Sequence, residues 1–410
     1  MKVLVWATTF GADLWSLARR LDARDDVELR IVLDDPDRFR RQAVARLFPL
    51  RAPLIRRGRL RTYAGPLAVP GFRPDVVVLD NWVPKVSPAR RGFVLWHGFG
   101  WKGPNDREEF APLHRQLARA FGDPLRPNPN FRWHCFGPSD FEHRTQVSGF
   151  APENCRLVGA VSHDDLRTPL DRSLVRDAYP FDVVKRRTVL IAPTWHYGEV
   201  FAHWGSDAAI FDRLLERIAH HGANAIVRFH DRHRYDPNYL RTLEDLARRH
   251  GNTILKFKDR DPDNFVDLQV ADVLVTNFSS IANLYYATLR PTIHVYPVRS
   301  ADEAFTWRIR RRGGVETRQV ASVRYVWKFP PERNGGLLVH DPDEMIAALD
   351  RAFEDPQCCR ERARAFLDAH MLGADGHAAE RAFAVLRELV CGDPPPRTTL
   401  PRPLPCEPSP

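Results

Sequence analysis

Short apolar runs alternate with longer amphipathic segments along most of the chain. Runs such as residues 3–7, 27–33 and 76–79 end in polar residues, which is typical of buried strands. Longer segments such as residues 207–220 repeat their apolar positions with helical spacing. Strands that alternate with helices in this way predict parallel sheets covered by helices, the α/β class.

The alternation forms two blocks, separated by a charged stretch that carries Pro169 and Pro180. The predicted strands are residues 3–7, 27–33, 76–79, 93–96 and 131–136 in the first block, and 189–191, 225–229, 253–257, 273–276 and 292–296 in the second. We therefore predict an N-terminal Rossmann-like domain over residues 1–165, a linker over 166–187, a C-terminal Rossmann-like domain over 188–391 and a disordered Pro-rich tail over 392–410. Two doubly wound domains that face a cleft would bind ligands beyond the carboxyl ends of their strands.

The composition is that of a globular protein. The 410 residues suit two domains, and 43% of them are hydrophobic and 28% charged. We expect a cytoplasmic protein, because no apolar run of about 18 residues is present and the N-terminus leads directly into a strand. The six cysteines have no zinc-site spacing and carboxylates do not cluster, so we predict neither a metal nor a cofactor.

The net charge of +9 would suit nucleic acid, an anionic membrane surface or a phosphate-rich substrate, or it reflects only an Arg-rich composition. No nucleic-acid-binding motif accompanies the basic residues, so we expect no nucleic-acid partner. Apolar residues such as Phe48 and Ile55 interleave with the densest arginines. This segment predicts either a contact with the inner face of the membrane or a solvated connection. Its arginines are Arg38, Arg40, Arg41, Arg46, Arg51, Arg56, Arg57, Arg59 and Arg61.

Polar segments follow several predicted strands, where a ligand site is expected. His97 and Gly98 follow the strand at residues 93–96, with Lys102 close behind. A histidine suits proton transfer near neutral pH, and glycine lets a ligand approach the backbone. The alternative is a structural histidine in a Gly-rich turn.

Two further segments could meet phosphate. Arg228 and His230 lie at the end of a strand, where a cationic pair would neutralise phosphate charge, unless they form a solvated turn. Asn277 ends another strand, and Ser279 and Ser280 open a predicted helix over residues 279–289. Free N–H groups there would bind an anion, although serine is also an ordinary helix cap.

A fourth segment, Pro193-Thr194-Trp195, would shape the wall of the cleft or form a simple proline turn. No P-loop occurs, and no GxGxxG, HExxH or GxSxG motif supports a kinase, dehydrogenase, zincin or lipase.

In sequence order, these segments resemble the CDP-glycerol glycerophosphotransferase family, the teichoic acid primases and polymerases. The matching segments are Trp96-His97-Gly98 with Lys102, Ala192-Pro193-Thr194-Trp195, Arg228-Phe229-His230, residues 271–280, and Asp375-Gly376 with Glu380-Arg381. The resemblance implies the glycosyltransferase type B fold, with the nucleotide bound mainly by the C-terminal domain. It also implies transfer of glycerol phosphate or a similar group from a CDP-activated donor to a lipid-linked or glycan acceptor.

By the same resemblance, His97 is the general base and His230 is a second catalytic residue. The implied substrate-binding residues are Gly98, Lys102, Thr194, Arg228, Asn277, Ser279, Ser280 and Asp375.

The chain departs from the family pattern at several positions. Asn277-Phe278 replaces Asp-Tyr, Leu284 stands at an acidic position, Asp231 replaces a proline and Ala379 replaces a serine. The alternatives are a nucleotide-sugar glycosyltransferase or epimerase of the same fold, or a non-catalytic homologue.

Overall fold

The structure is a computed structural model. It describes the chain except for residues 9, 58–60, 63–66, 70, 81, 97, 102–105, 194–200, 202–203, 233–234, 297–303, 312–313, 325–326 and 394–410, and it describes only the backbone of residues 61–62, 67–68, 304–311 and 314–324. The chain forms two compact units. The first contains Met1–Phe99, Asn105–Thr168 and Ala365–Pro410, and the second contains Gly100–Pro104 and Pro169–Arg364. Most of the predicted Pro-rich tail lies outside the described residues.

The described part of the first unit is built on a seven-stranded parallel sheet. The strands of this unit are β1 (Lys2–Trp6), β2 (Glu28–Leu33), β3 (Leu54–Arg56), β4 (Arg61–Thr62), β5 (Leu67–Ala68), β6 (Val76–Leu79), β7 (Arg91–Val94), β8 (Phe131–Cys135) and β9 (Cys155–Leu157). The sheet has the order β3-β2-β1-β6-β7-β8-β9, and β4 pairs separately with β5. The helices are α1 (Ala12–Asp22), α2 (Pro36–Arg40), α3 (Ala43–Leu47), α4 (Arg107–Phe121), α5 (Pro138–Glu142) and α6 (His163–Leu166), with a π-helix at His143–Val147 and a 3-10 helix at Pro152–Asn154. The central strands are buried on both faces, which explains their continuous apolar runs.

The described part of the second unit has a six-stranded parallel sheet. The strands of this unit are β10 (Thr188–Ile191), β11 (Asn224–Phe229), β12 (Thr253–Phe257), β13 (Val273–Thr276), β14 (Thr292–Val295), β15 (Ala304–Arg311), β16 (Gly314–Arg324) and β17 (Leu337–Val339). The sheet order is β12-β11-β10-β13-β14-β17, and β15 and β16 form an antiparallel hairpin. The helices are α7 (Asp207–His220), α8 (Pro237–Arg249), α9 (Phe265–Val270), α10 (Ile281–Tyr285) and α11 (Pro342–Glu354), with 3-10 helices at Arg172–Ala178, Tyr286–Thr288 and Pro331–Arg333. The predicted α/β class, with two parallel-sheet domains, is confirmed.

The C-terminal helices depart from the predicted domain limits. Helix α12 (Arg360–His370) contains the boundary between the units, and α13 (Ala378–Cys391) belongs to the first unit, whereas we predicted one domain over residues 188–391. Buried Glu388 of α13 binds Arg132 of β8 and Arg156 of β9. Asp164 accepts the N–H groups of Ala378 and Ala379, at 3.1 and 2.8 Å. An amphipathic pattern shows that a helix buries one face, but it does not show which sheet covers that face.

Strand prediction succeeded where the apolar run is continuous. Residues 76–79, 253–257 and 273–276 are strands with the predicted bounds. The structure adds β3, β9, β17 and the β15–β16 hairpin, in which short length or many polar residues hide the pattern. Among the described helices, none is long and apolar enough to cross a bilayer.

Candidate active site

The strand order of the second sheet reverses between β10 and β13, which is where doubly wound sheets bind ligands. Two predicted segments meet at this point, because β10 leads into Ala192 and Pro193 while β13 leads into Asn277. The hydroxyl of Thr276 donates to the carbonyl of Ala192 at 2.8 Å. The N–H of Ala192 donates to the carbonyl of Val275 at 2.9 Å. The structure therefore joins two segments that lie about 80 residues apart in the sequence.

The turn after β13 presents backbone N–H groups. Phe278 has φ +60, in the left-handed region, and Ser280 is right-handed with φ −59 and ψ −16. In the described part of the chain, no acceptor receives the N–H groups of Ser279 or Ser280. A backbone that changes hand in this way can turn successive N–H groups toward one side, the geometry by which turns bind anions in other proteins. Both serines are half-buried, whereas Asn277 is buried.

The helix that follows is shorter than the predicted residues 279–289. It consists of α10 and the 3-10 turn Tyr286–Thr288, which ends at Leu289 with φ +56. The Ser280 side chain makes no capping hydrogen bond, so simple capping does not account for this residue. The Oγ of Ser279 lies 3.5 Å from the backbone N of Ile281. Because α10 has only five residues, its dipole is small, and an anion at this turn would depend mainly on the local N–H groups.

Aromatic side chains hold the left-handed turn in place. The ring of Phe278 lies 4.6 Å from the ring of His294, 4.8 Å from that of Trp327 and 5.3 Å from that of Trp101. A bulky residue in this backbone region costs about 1–3 kcal/mol and persists only when its surroundings enforce it. Trp101, which follows His97 by four residues in the sequence, belongs to this cluster.

His294 was not identified from the sequence. It is fully buried in β14, and burial lowers its pKa to about 3, so its ring is neutral at pH 7. The Tyr286 hydroxyl accepts the N–H of Gly335 at 3.0 Å and lies 2.5 Å from Nε2 of His294. The hydroxyl therefore connects the ring of His294 to the backbone of Gly335. A histidine within an apolar strand was the signal that could have revealed it.

Arg228 is engaged inside the second unit. Its guanidinium donates to Asp267 at 2.7 Å and to the carbonyl of Asp261. Asp267 also accepts from Lys256 at 2.8 Å and from the Tyr179 hydroxyl at 2.6 Å. Burial alone would raise the pKa of Asp267, but Lys256 and Arg228 lower it below its usual value. An internal carboxylate therefore already neutralises the charge of Arg228.

His230 has a different environment, one residue beyond the end of β11. Its side chain is about one-quarter exposed, and Nδ1 lies 3.0 Å from a carboxylate oxygen of Asp231. The Tyr235 hydroxyl accepts the backbone N–H of His230 at 3.2 Å. Asp231 replaces the proline of the family pattern, and its backbone N–H donates to Nδ1 of His230 at 2.9 Å, which orients the imidazole.

Asp375 lies in the first unit, where both carboxylate oxygens accept from Arg381, at 2.7 and 2.9 Å. The Arg381 Nε–H donates to the carbonyl of Val158 at 2.8 Å, so this ion pair anchors the start of α13. Gly98 is half-buried, also in the first unit. Three other predicted site residues, His97, Lys102 and Thr194, lie outside the described residues. Within the described part, no group of three His, Cys, Asp or Glu side chains could hold a metal ion.

Comparisons with known proteins agree with this architecture. A model of the family described as CDP-Glycerol:Poly(glycerophosphate) glycerophosphotransferase matches residues 162–300. No curated protein sequence matches the chain. The solved structure of the wall teichoic acid polymerase TagF has a TM-score of 0.63 at 14% identity, over 95% of this chain and 89% of that chain. UDP-GlcNAc 2-epimerase from Neisseria meningitidis, bound to UDP-GlcNAc, has a TM-score of 0.55 at 13% identity, over 96% of this chain and 100% of that chain.

The chain shares the glycosyltransferase type B fold with these structures, and this fold defines its structural class. The resemblance to the CDP-glycerol glycerophosphotransferases is confirmed over residues 162–300, which include β10 to β14 and the turn at Ser279 and Ser280. This family match indicates a transferase.

Proposed function

We propose that the protein transfers glycerol phosphate, or a similar polyol phosphate, from a CDP-activated donor to an acceptor hydroxyl in the synthesis of a cell-surface polymer. The observation that carries this proposal is the turn at Ser279 and Ser280. Its N–H groups lie at the switch point of the second sheet, inside the segment that matches the family. A diphosphate is the part of such a donor that this turn would bind.

The second unit would supply the donor site. The N–H groups of Ser279 and Ser280 would hold the diphosphate, and His230, whose Nδ1 accepts the N–H of Asp231, would donate to it from Nε2. Asn277 and, by resemblance, Thr194 would line the two sides of the switch point. Phosphoryl transfer depends mainly on positioning and on electrostatic stabilisation, which this set of groups can provide. Arg228 would act indirectly, by holding the end of β11 that carries His230.

His97 would act as the general base, as the family resemblance implies, with Gly98 and Lys102 beside it in the sequence. The acceptor oxygen would attack the phosphorus that carries the glycerol and form a new P–O bond. The bond from that phosphorus to the bridging oxygen would break, and CMP would leave with that oxygen. The acceptor proton would pass to His97.

Release of CMP tests this function. We expect CMP to form from CDP-glycerol in an acceptor-dependent manner, and His97→Ala to lower the rate by about 10²–10⁴-fold. The melting temperature should change little. His220→Ala, at an exposed position in α7, is the matched control and should leave the rate unchanged.

Turnover of UDP-sugars without CMP release would favour the glycosyltransferase or epimerase alternative. Binding of CDP-glycerol without turnover would indicate a non-catalytic homologue. Unfolding of His97→Ala would indicate a structural histidine.

A lipid-linked acceptor would require contact with the membrane surface, and the arginine-rich segment is the proposed contact. Several of its arginines have acidic partners: Arg40 pairs with Asp37, Arg56 with Asp35 and Asp37, and Arg57 with Asp34. Arg41 is exposed, and it is the proposed membrane-facing residue. The segment's apolar residues contribute to packing, since Ile55 packs against the core and Phe48 against Trp15.

A further inference from the structure

Polar groups from the carboxyl ends of four neighbouring strands meet in the first unit. Thr8 follows β1, Asp34 follows β2, Arg57 follows β3 and Asp80 follows β6. The order of this sheet reverses between β1 and β6, so the four residues lie around its switch point. None of them belongs to the motifs that carry the family resemblance.

Arg57 is fixed in this arrangement. Its guanidinium donates to the carbonyl of Ala7 at 2.9 Å and lies 3.1 Å from a carboxylate oxygen of Asp34. It also lies 5.9 Å from the ring of Trp6 and 5.1 Å from the ring of Trp82. Because Asp34 balances the charge of Arg57, the guanidinium acts here mainly as a rigid, planar support for the indole rings.

Trp82 is the exposed member of the cluster. It is 38% exposed, whereas its neighbour Trp6, at a ring distance of 5.7 Å, is 2% exposed. A tryptophan supported from within the protein presents a large, rigid apolar surface at small cost in conformational entropy. Trp82 follows the end of β6 by three residues, which places this surface close to the switch point in the sequence.

The ends of β1 and β6 also carry hydrogen-bonding groups, Thr8 and Asp80. The carboxylate of Asp80 is buried and accepts both the N–H and the hydroxyl of Thr8, at 2.7 and 2.6 Å. An apolar platform beside oriented polar groups is the arrangement that a small-molecule site requires.

We propose that Trp82, supported by Arg57 and placed beside Thr8 and Asp80, is an acceptor subsite for a sugar ring. The C–H face of a pyranose can cover an indole while its hydroxyls reach polar groups at the rim. A glycerol phosphate chain has no such face, and its charge gains little from an arginine that Asp34 already neutralises. This inference rests on the proposed function, because it makes the acceptor a pyranose-containing glycan.

Binding to the full chain in the absence of donor tests the subsite. Saturation-transfer NMR is recorded with methyl glucopyranoside, methyl galactopyranoside, methyl mannopyranoside and their N-acetylamino analogues, and with glycerol 3-phosphate for comparison. We expect at least one pyranoside to receive saturation on its ring protons. Trp82→Ala should weaken that binding by about 3–10-fold, the effect typical of one lost aromatic contact. Val86→Ala, which truncates another exposed apolar residue nearby in the sequence, should bind as the unmodified protein does.

Equal binding by Trp82→Ala, binding of no pyranoside, or Trp82-dependent binding of glycerol 3-phosphate alone would overturn the proposal. Because no donor is present, these outcomes are independent of whether CDP-glycerol is the substrate. If sugar binding depends on Trp82 but the protein releases no CMP, the subsite is supported and the proposed transferase function is rejected.

Discussion

The ring of Phe278 lies 4.6 Å from the ring of His294, and this contact joins the turn after β13 to the neighbouring strand β14. Phe278 has a left-handed backbone, and the buried, neutral imidazole helps to enforce it. The N–H groups of Ser279 and Ser280 depend on that conformation for their direction. The proposed diphosphate site is therefore supported by residues that need not touch the ligand.

The first prediction compares glycine and alanine at position 278. Both Phe278→Ala and Phe278→Gly lose the aromatic contacts, at a cost of about 3–5 kcal/mol. Glycine tolerates a positive φ, whereas alanine retains the left-handed strain of about 1–2 kcal/mol. We expect Phe278→Gly to be at least as stable as Phe278→Ala in urea denaturation, and both to raise KM for the donor.

Phe211, buried in the interior of α7, provides the matched control. The free energy of unfolding of Phe211→Gly should be about 1 kcal/mol lower than that of Phe211→Ala. If Phe278→Gly were also less stable than Phe278→Ala, this result would contradict an enforced left-handed turn at position 278.

The second prediction concerns the pH dependence of stability through His294. Its pKa is lowered from 6.5 to about 3 in the folded state, so between these values the unfolded chain binds more protons. The stabilising contribution is therefore complete above pH 6.5 and is lost as the pH falls. Between pH 7 and pH 5 we expect a loss of about 2 kcal/mol in the free energy of unfolding.

In His294→Gln this loss should be absent, so the difference in the free energy of unfolding between the unmodified protein and the variant should change by about 2 kcal/mol between pH 7 and pH 5. Tyr286→Phe removes the hydrogen bond but keeps the titrating ring, so it should retain the slope. Identical slopes for the unmodified protein and His294→Gln would refute the assignment.

The third prediction separates Arg228 from His230. Arg228→Met leaves the buried Asp267 without one of its two cationic partners, so we expect a stability loss of about 3 kcal/mol by chemical denaturation. His230→Ala should change stability by less than about 1 kcal/mol, but it should lower the rate of CMP release. Arg241→Met, at an exposed position on α8, serves as the control for loss of an arginine. A stable but inactive Arg228→Met would show that Arg228 binds phosphate directly.

The fourth prediction concerns the membrane. We expect the protein to sediment with anionic vesicles more than with neutral ones, and added salt should weaken this binding. Arg41→Gln should lower the affinity by about 5-fold. Arg56→Gln should have less effect, because Arg56 is already paired with Asp35 and Asp37. Equal recovery of the protein in the supernatant with both kinds of vesicle would exclude the arginine-rich segment as a membrane contact.

The sequence by itself determined the class of the fold and the order of its segments. Strands such as β6 and β13 were predictable because a strand buried on both faces must be apolar throughout. The turn after β13 could be proposed as a candidate site because parallel strands present their carboxyl ends at the same edge. Both arguments use only information from residues close together in the chain.

Tertiary structure alone decided which partners these residues have. Arg228 of β11 donates to Asp267 of α9, although 39 positions separate the two residues in the sequence. Helix α13 belongs to the first unit, where Glu388 forms ion pairs with Arg132 and Arg156. The left-handed Phe278 requires rings from distant parts of the chain. The local sequence pattern specifies which face of a helix or strand is buried. The free energy of each contact depends also on the element that packs against that face.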